Sequence, residues 1–433
     1  MHKNKKTICL ITNWYPTEEN PYQGVFFKEQ AQVLDDVFDF IVVHYNEKKK
    51  ETLLRYMKRA LCRTEVVIQK IKEEKNIVEY NAVAYYPKYK IYTDKLASFL
   101  DRRFKRLVGR KSLKISAFSA TEKRKKESIT KIFKNYFSDK IDVFYCVDAQ
   151  SESYILQCAA EAIGKPYVVS EHAPFPYPGN IIPYSEKNAI ENANVFMAIS
   201  YDKVRQVMMQ NIQPRKIVYV GNMVDEAQFT LKQEENEIKT FVMVAANSFY
   251  KNYSLFIKIF NRLTEITNMP FKVMIVGYNA NKGYSKNAEE LEQQIMSSKF
   301  APYVELIPEI EHERIHEVYH RADAFVMTSI QEGMPVSALE AGCCGLPIFT
   351  TMCGGVEDYI DEEIGRIYKI IDAESFAIGL KEYLEGNIEF DHESIRETIV
   401  ANYGKKVFVD RIAKVFKDVI NEHENDINKR GEY

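Results

Sequence analysis

The sequence predicts an α/β protein built from two doubly wound domains. Three observations carry this reading. The chain has 433 residues, more than one ordinary core accommodates and enough for two domains of about 200 residues each. Short apolar runs recur in two series, each alternating with helical patterns. A polar, acid-rich stretch at 225–239 separates the two series. Composition agrees with a soluble globular protein, being 46% hydrophobic and 28% charged. A formal net charge of −2 gives no global field that would attract nucleic acid.

The first series of runs lies at 8–12, 40–45, 78–86, 143–147, 167–170, 195–200 and 217–220. The second lies at 241–246, 271–277, 304–308, 324–328, 348–351 and 366–370. These runs are continuously apolar rather than alternating, which argues for parallel strands buried on both faces. The expected domains are 1–225 and 240–404. An amphipathic helix follows at 405–421, carrying Val407, Phe408, Ile412, Val415, Phe416 and Val419. The charged tail after Asn421 is expected to fray. Ligands bind such sheets at the carboxyl ends of the strands, so a cleft between two facing domains is the default site.

The amino-terminal Lys-rich start leads into a short apolar run that stops at Asn13-Trp14-Tyr15-Pro16. It reads as a first strand rather than a secretory leader. No apolar stretch approaches a membrane span. The seven cysteines are odd in number and form no Cys-x-x-Cys pair, as expected of reduced thiols in a cytoplasmic protein.

Residues 329–340 say most about chemistry. They read Ser-Ile-Gln-Glu-Gly-Met-Pro-Val-Ser-Ala-Leu-Glu. Glu332 is placed on a loop at a strand's carboxyl end, and Glu340 inside the helix that follows. Pro335 suits the first helical position, where its missing N–H costs nothing. The N–H groups of such a helix start form a ready phosphate site. One carboxylate can meet a sugar while the other accepts two vicinal hydroxyls of a ribose. Taken alone, such a pair is more often a loop acid and a helix acid with no shared task. Beyond it come Ala-Gly-Cys-Cys-Gly-Leu-Pro, a buried strand and Gly354-Gly355-Val-Glu357.

This succession of Glu-Gly-x-Pro, an acid eight positions on, Gly-x-Pro and Gly-Gly-x-x-Glu resembles glycosyltransferase family 4. Those are retaining nucleotide-sugar transferases of the GT-B fold, with two Rossmann-like domains facing across a cleft. The resemblance covers nearly the whole chain and is densest from Lys251 to Asp358. It implies transfer of a sugar from a nucleotide diphosphate sugar to a saccharide or lipid-linked saccharide acceptor, in cell-surface polysaccharide synthesis. It also implies no cofactor and no bound metal, and no Asp-x-Asp motif occurs. Glu332 would orient the donor sugar and Glu340 would hold the ribose. Gly333, Met334, Pro335 and Val336 would offer backbone groups to the diphosphate. Lys251 matches a phosphate-binding Lys, but the Arg usual five or six residues earlier is absent, since Ala245 and Ala246 stand there.

Three further positions follow from the resemblance. His172, at a strand end in Val-Val-Ser-Glu-His, would line the donor's sugar and phosphate. Gly24 would open a helix close to the acceptor and donor phosphates; a tight turn needing Gly explains it equally well. Asn222, in Asn-Met-Val-Asp-Glu-Ala-Gln-Phe229, matches a hinge, with turn capping as the plainer reading.

Two other motifs compete for attention. His312-Glu313-Arg314-Ile315-His316 spells a zinc-hydrolase pattern, but neither the extended metal motif nor a secretion signal accompanies it. The stretch 88–134 is rich in Lys and Arg. Arg102, Arg103, Lys105 and Arg106 surround an apolar helical face that could dock on anionic lipid at the inner face of a membrane. An ordinary domain helix packed on its sheet explains that face equally well. No nucleic-acid module accompanies the charge. Within the same fold, a nucleotide-sugar epimerase or an inactive sugar-nucleotide binder is the alternative.

Overall fold

The apolar runs become the strands of two separate sheets. The computed structural model describes residues 5–16, 24–49, 65–86, 120–176, 181–233, 236–279 and 288–431. The basic face at Arg102, Arg103, Lys105 and Arg106 lies outside the described residues. Two compact units form. The first comprises Met1–Ala198, Gln206–Val218 and the chain from Arg411 on; the second comprises Ile199–Arg205 and Tyr219–Asp410.

In the first unit the strands are β1 (Lys6–Ile11), β2 (Phe38–Lys49), β3 (Glu65–Glu74), β4 (Ile77–Tyr86), β5 (Val143–Cys146), β6 (Tyr167–Ser170), β7 (Val195–Ala198) and β8 (Ile217–Tyr219). Their order is β3-β4-β2-β1-β5-β6-β7-β8. The pairs from β4 through β2, β1, β5 and β6 to β7 are parallel. Val42, Val143, Phe144, Val168, Val169 and Phe196 have almost no solvent exposure, as strands covered on both faces require. The helices are α1 (Val25–Leu34), α2 (Ala120–Tyr136), α3 (Ala149–Ile163), α4 (Tyr184–Asn192) and α5 (Tyr201–Met209), of which only the part from Gln206 belongs to this unit. In α2, Ile129, Ile132 and Phe133 recur at helical spacing and are buried, as is Phe137 just past its end.

Strand β3 corrects the all-parallel expectation. It pairs antiparallel with β4, with a register shift between Lys70 and Lys72. Its sequence, Glu-Val-Val-Ile-Gln-Lys-Ile-Lys-Glu-Glu, lacks a continuous apolar run because it lies at the sheet edge with most residues exposed. Charges and an irregularity on such an edge discourage pairing with another chain.

The second unit carries β9 (Thr240–Val244), β10 (Lys272–Val276), β11 (Val304–Ile307), β12 (Ala324–Met327), β13 (Ile348–Thr351) and β14 (Gly365–Tyr368). All neighbours run parallel in the order β11-β10-β9-β12-β13-β14. Around them lie α6 (Tyr253–Ile266), α7 (Ala288–Met296), α8 (Ile315–Tyr319), α9 (Val336–Cys343), α10 (Ala373–Leu384) and α11 (His392–Tyr403). The Asn252 side chain caps α6 by accepting from Leu255 N–H. Leu255, Phe256, Ile259, Phe260 and Leu263 then form one stripe against Phe241, Val273, Ile275 and Val326.

The last helix, α12 (Lys405–Gly431), extends ten residues beyond the expected end, so the tail does not fray at Asn421. Polar anchors hold it within the first unit. Glu422 pairs with Lys216 at 3.0 Å, Glu424 pairs with Lys6 at 2.6 Å, and His423 Nε2 lies 3.0 Å from the Gly164 carbonyl. Phe416 packs edge-on against Phe38 and Tyr145, with ring centroids 5.7 and 5.5 Å away.

Candidate functional site

In the second unit, topology decides where a ligand can sit. From β9 the chain steps outward to β10 and β11, then returns to β12 on the other side and continues to β13 and β14. The loops after β9 and β12 therefore leave the sheet in adjacent positions at the switch point, the place where open α/β sheets generally bind ligands. Both sequence-predicted stretches of this half fall there.

The loop after β9 tightens into a short 3-10 turn, Phe249–Lys251. The loop after β12 is stitched to it. Thr328 Oγ1 donates to the Lys251 carbonyl at 2.9 Å, and Ile330 N–H donates to the Tyr250 carbonyl at 2.7 Å. These bonds bring Lys251 Nζ to within 2.6 Å of Glu332 Oε1. Both side chains are largely shielded, with 22% and 14% exposure. The pair is thus short and partly desolvated, conditions that strengthen attraction while raising the cost of separating the charges.

A second loop packs on the Glu332 turn from β13. Glu332 N–H donates to the Cys353 carbonyl at 2.7 Å. Gly354 and Gly355 have φ of +86° and +75°, and a Cβ on Gly355 would lie 2.1 Å from the Gly333 carbonyl oxygen. Only glycine tolerates both the left-handed backbone and that approach. The Gly-Gly pair is thereby explained by packing that shapes the turn.

Met334 and Asn222 are joined. Asn222 Nδ2 donates to the Met334 carbonyl at 2.8 Å, and its N–H meets Met334 Sδ at 3.2 Å. Asn222 is buried, and its Oδ1 has no hydrogen-bond partner among the described residues. Pro335 is the residue before the helix, and α9 begins at Val336, one position later than the sequence reading placed it. Ala245 is buried, and its carbonyl accepts from Tyr253 OH at 2.7 Å.

Glu340 projects from α9 and is buried. Its two oxygens have different donors. Oε1 lies 2.8 Å from His312 Nε2, and Oε2 accepts from Tyr319 OH at 3.0 Å. Burial and the adjacent Glu340 push the Tyr319 hydroxyl well above its ordinary pKa, so it stays a donor. This arrangement corrects the zinc-hydrolase reading. His312, Glu313 and His316 do not share one regular helix: a 3-10 turn, His312–Arg314, precedes α8. His312 is turned to Glu340, while the His316 ring lies 5.9 Å from that of His320. Among the described residues, no group of three or more His, Cys, Asp or Glu could hold a metal ion.

The first unit holds the other two sequence-predicted positions. Gly24 precedes α1 with φ of +70°, and a Cβ there would lie 2.4 Å from the Trp14 carbonyl oxygen. Close approach to the β1 loop therefore accounts for the glycine. His172 follows β6, with its ring 4.9 Å edge-on from Phe27 and 6.1 Å from Phe26. The strand order of its sheet also reverses, between the parallel neighbours β1 and β5. There Asn13 N–H donates to Glu152 Oε1 at 2.6 Å. Sequence reasoning missed Asp148 and the buried acids Glu152 and Glu186 around this point. Burial raises the carboxyl pKa of all three, Glu186 to about 7. No periodic signal distinguishes a buried Glu on α3 from a solvated one.

Residues 224–406 match the family described as glycosyl transferases group 1. That match falls within the second unit. Over 110 residues the chain is 32% identical to the lipopolysaccharide 1,6-galactosyltransferase of Escherichia coli K12, a stretch covering 25% of this chain and 30% of that protein. The chain spans about half or less of the length of the curated relatives it matches. Among solved structures, sucrose-phosphate synthase from Thermosynechococcus elongatus superimposes with a TM-score of 0.67 at 13% identity, covering 96% of this chain and 100% of that one. HepE from Anabaena, solved in complex with UDP-glucose, gives 0.61 at 11% identity over 95% of this chain and 99% of that one. Likeness at that identity shows the fold. It is GT-B, with two parallel-sheet α/β domains as the sequence predicts.

Proposed function

We propose that the protein transfers a sugar from a nucleoside diphosphate sugar to a saccharide or lipid-linked saccharide, with retention at the anomeric carbon. The observation that carries this reading is the joining of Lys251 and Glu332 at the β9/β12 switch point, inside the domain that matches group 1 glycosyl transferases. A cation and an acid at the strand ends suit a substrate with a diphosphate at one end and hydroxyls at the other.

The chemistry follows from the charges. The bond from the anomeric carbon to the diphosphate oxygen breaks, and a bond from that carbon to the acceptor hydroxyl oxygen forms. The electron pair leaves with the nucleoside diphosphate. Lys251 meets the charge that develops there, aided by backbone N–H groups of the 333–336 turn and the α9 start. When Lys251 turns to the phosphates, Glu332 is released to accept from sugar hydroxyls and orient the donor. Glu340 holds the ribose through its two oxygens. The acceptor hydroxyl attacks the face the diphosphate leaves, and its proton passes to a departing phosphate oxygen. No cofactor enters this scheme, and Lys251 supplies the positive charge that a metal ion supplies elsewhere.

The HepE complex with UDP-glucose supports a nucleotide-sugar donor by fold analogy alone. The E. coli relative's name supports a lipopolysaccharide-type acceptor and a place in cell-surface polysaccharide synthesis. A lipid-linked acceptor would bring the protein to the inner face of the membrane, where the basic stretch at 88–134 could touch anionic lipid. No helix among the described residues is long and apolar enough to cross a membrane.

Product analysis tests the reading. Labelled UDP-, GDP- and ADP-sugars are incubated with lipid-linked and free saccharide acceptors. Acceptor-dependent release of nucleoside diphosphate, with the donor's anomeric configuration kept in the product, is expected. Conversion of the donor sugar without acceptor would instead identify an epimerase, and binding without turnover an inactive binder.

A further inference from the structure

Glu340 can accept two vicinal hydroxyls only if its carboxylate plane is fixed and one lone pair on each oxygen stays open. A carboxylate offers about four lone-pair sites, two per oxygen. Tyr319 OH occupies one site on Oε2 at 3.0 Å, and His312 Nε2 occupies one on Oε1 at 2.8 Å. One lone-pair site per oxygen has no partner among the described residues, the number a ribose 2′,3′-diol needs. We propose that His312 is a positioning residue for Glu340, acting with Tyr319 to aim the carboxylate at the ribose of the donor nucleotide. This rests on the nucleotide-sugar reading above and deepens it.

The surrounding geometry is built for this task. Facing a carboxylate, which only accepts, His312 Nε2 must carry the hydrogen. Its backbone carbonyl is pinned by Gln228 Nε2 at 2.8 Å. Its ring lies 5.9 Å from that of Phe229, and the Tyr319 ring lies 6.0 Å from the same Phe229. Phe229 is fully buried, and its carbonyl accepts from Cys343 Sγ at 3.1 Å and from Arg396. One immobile ring thus backs both donors. Tyr319 is deeply buried, whereas the His312 side chain is 34% exposed. Of the two donors, His312 is therefore the one on the more exposed side of the buried carboxylate.

The test compares ribonucleotides with their 2′-deoxy forms by calorimetric titration of UDP, GDP and ADP and the matching deoxynucleoside diphosphates. Wild type should prefer the ribo form of the nucleotide it binds. His312→Phe keeps a ring beside Phe229 and removes the donor. It should weaken the ribo form about tenfold, leave the deoxy form nearly unchanged, and so collapse the ribo/deoxy ratio. His312→Gln, with an amide donor at similar reach, should restore most of that ratio. On a Glu340→Ala background, His312→Phe should change neither affinity further. Equal weakening of both forms by His312→Phe would mean mere structural support and would overturn the proposal, as would an unchanged ratio. Should His312→Phe not fold, a ratio in His312→Gln as low as in Glu340→Ala would overturn it as well. Failure of every nucleoside diphosphate to bind wild type would remove the nucleotide-sugar reading itself, and this proposal with it.

Discussion

At the scale of single residues, the pairing of Lys251 with Glu332 changes what a substitution at either position should do. Each neutralises the other at 2.6 Å, so the diphosphate must compete with Glu332 for the ammonium. Lys251→Ala removes the principal side-chain cation proposed for the phosphates, since Ala245 and Ala246 stand where a second one is usual. Turnover at saturating donor should fall roughly a hundredfold or more, about 2.7 kcal/mol of transition-state stabilisation. Lys251→Arg should rescue only part of it, because a planar fork replaces a compact ammonium poorly. Steady-state kinetics with the true donor check both, and near wild-type turnover in Lys251→Ala would show that the diphosphate is held elsewhere.

Sequence spacing pointed to Glu332 and Glu340 because each lies at a fixed offset from Gly333 and Pro335; Lys251 came from the resemblance alone. The partners of Glu340 were not legible. His312 and Tyr319 precede it by 28 and 21 residues, and tertiary folding, not local pattern, brings them there. His312 was further masked by spelling a metal motif.

At the scale of elements, glycine turns and edge strands show where sequence patterns suffice. Continuous apolar runs located the buried parallel strands because burial on both faces leaves no polar alternation. Strand β3 escaped because an exposed, charged antiparallel edge looks like a loop or a helix. The carboxyl-terminal half of α12 looked frayed because its anchors are polar groups distant in sequence. The Gly354-Gly355 turn makes a sharp prediction. Gly355→Ala forces a Cβ to 2.1 Å from the Gly333 carbonyl at a φ of +75°. Stability should drop by about 2 kcal/mol or more, and donor affinity should fall with it, because the turn between Glu332 and α9 must move. Denaturant melts and nucleotide titration of the same variant check this. An unchanged melt would show that the loop relaxes freely.

At the scale of the whole molecule, buried acids should set the pH dependence of stability. Burial raises the Glu186 carboxyl to about 7, partly offset by bonds from Tyr154 N–H and Ser153 Oγ. Burial also raises Asp358 to about 6. For a carboxyl whose folded pKa lies above its unfolded value, the folded state binds more protons between the two values. Stability is therefore greatest below the unfolded pKa and falls as pH rises through the folded one. The first unit should lose roughly 1–3 kcal/mol from Glu186 between about pH 4.5 and 7.5. Glu186→Gln should flatten that slope in denaturant melts, and stability rising with pH across the window would refute the assignment.

The account's central claim is that the second unit binds a nucleoside diphosphate with Lys251 at the phosphates and Glu340 at the ribose. Calorimetric titration of wild type, Lys251→Ala and Glu340→Ala with the same set of nucleoside diphosphates tests it most directly. Losing a charge-assisted bond costs about 1.5–3 kcal/mol, so each variant should bind at least about tenfold more weakly than wild type. Nucleoside monophosphate, with less charge for the ammonium to meet, should feel Lys251→Ala less than Glu340→Ala. Unaltered affinity in both variants, or no nucleotide binding by wild type, would contradict the claim.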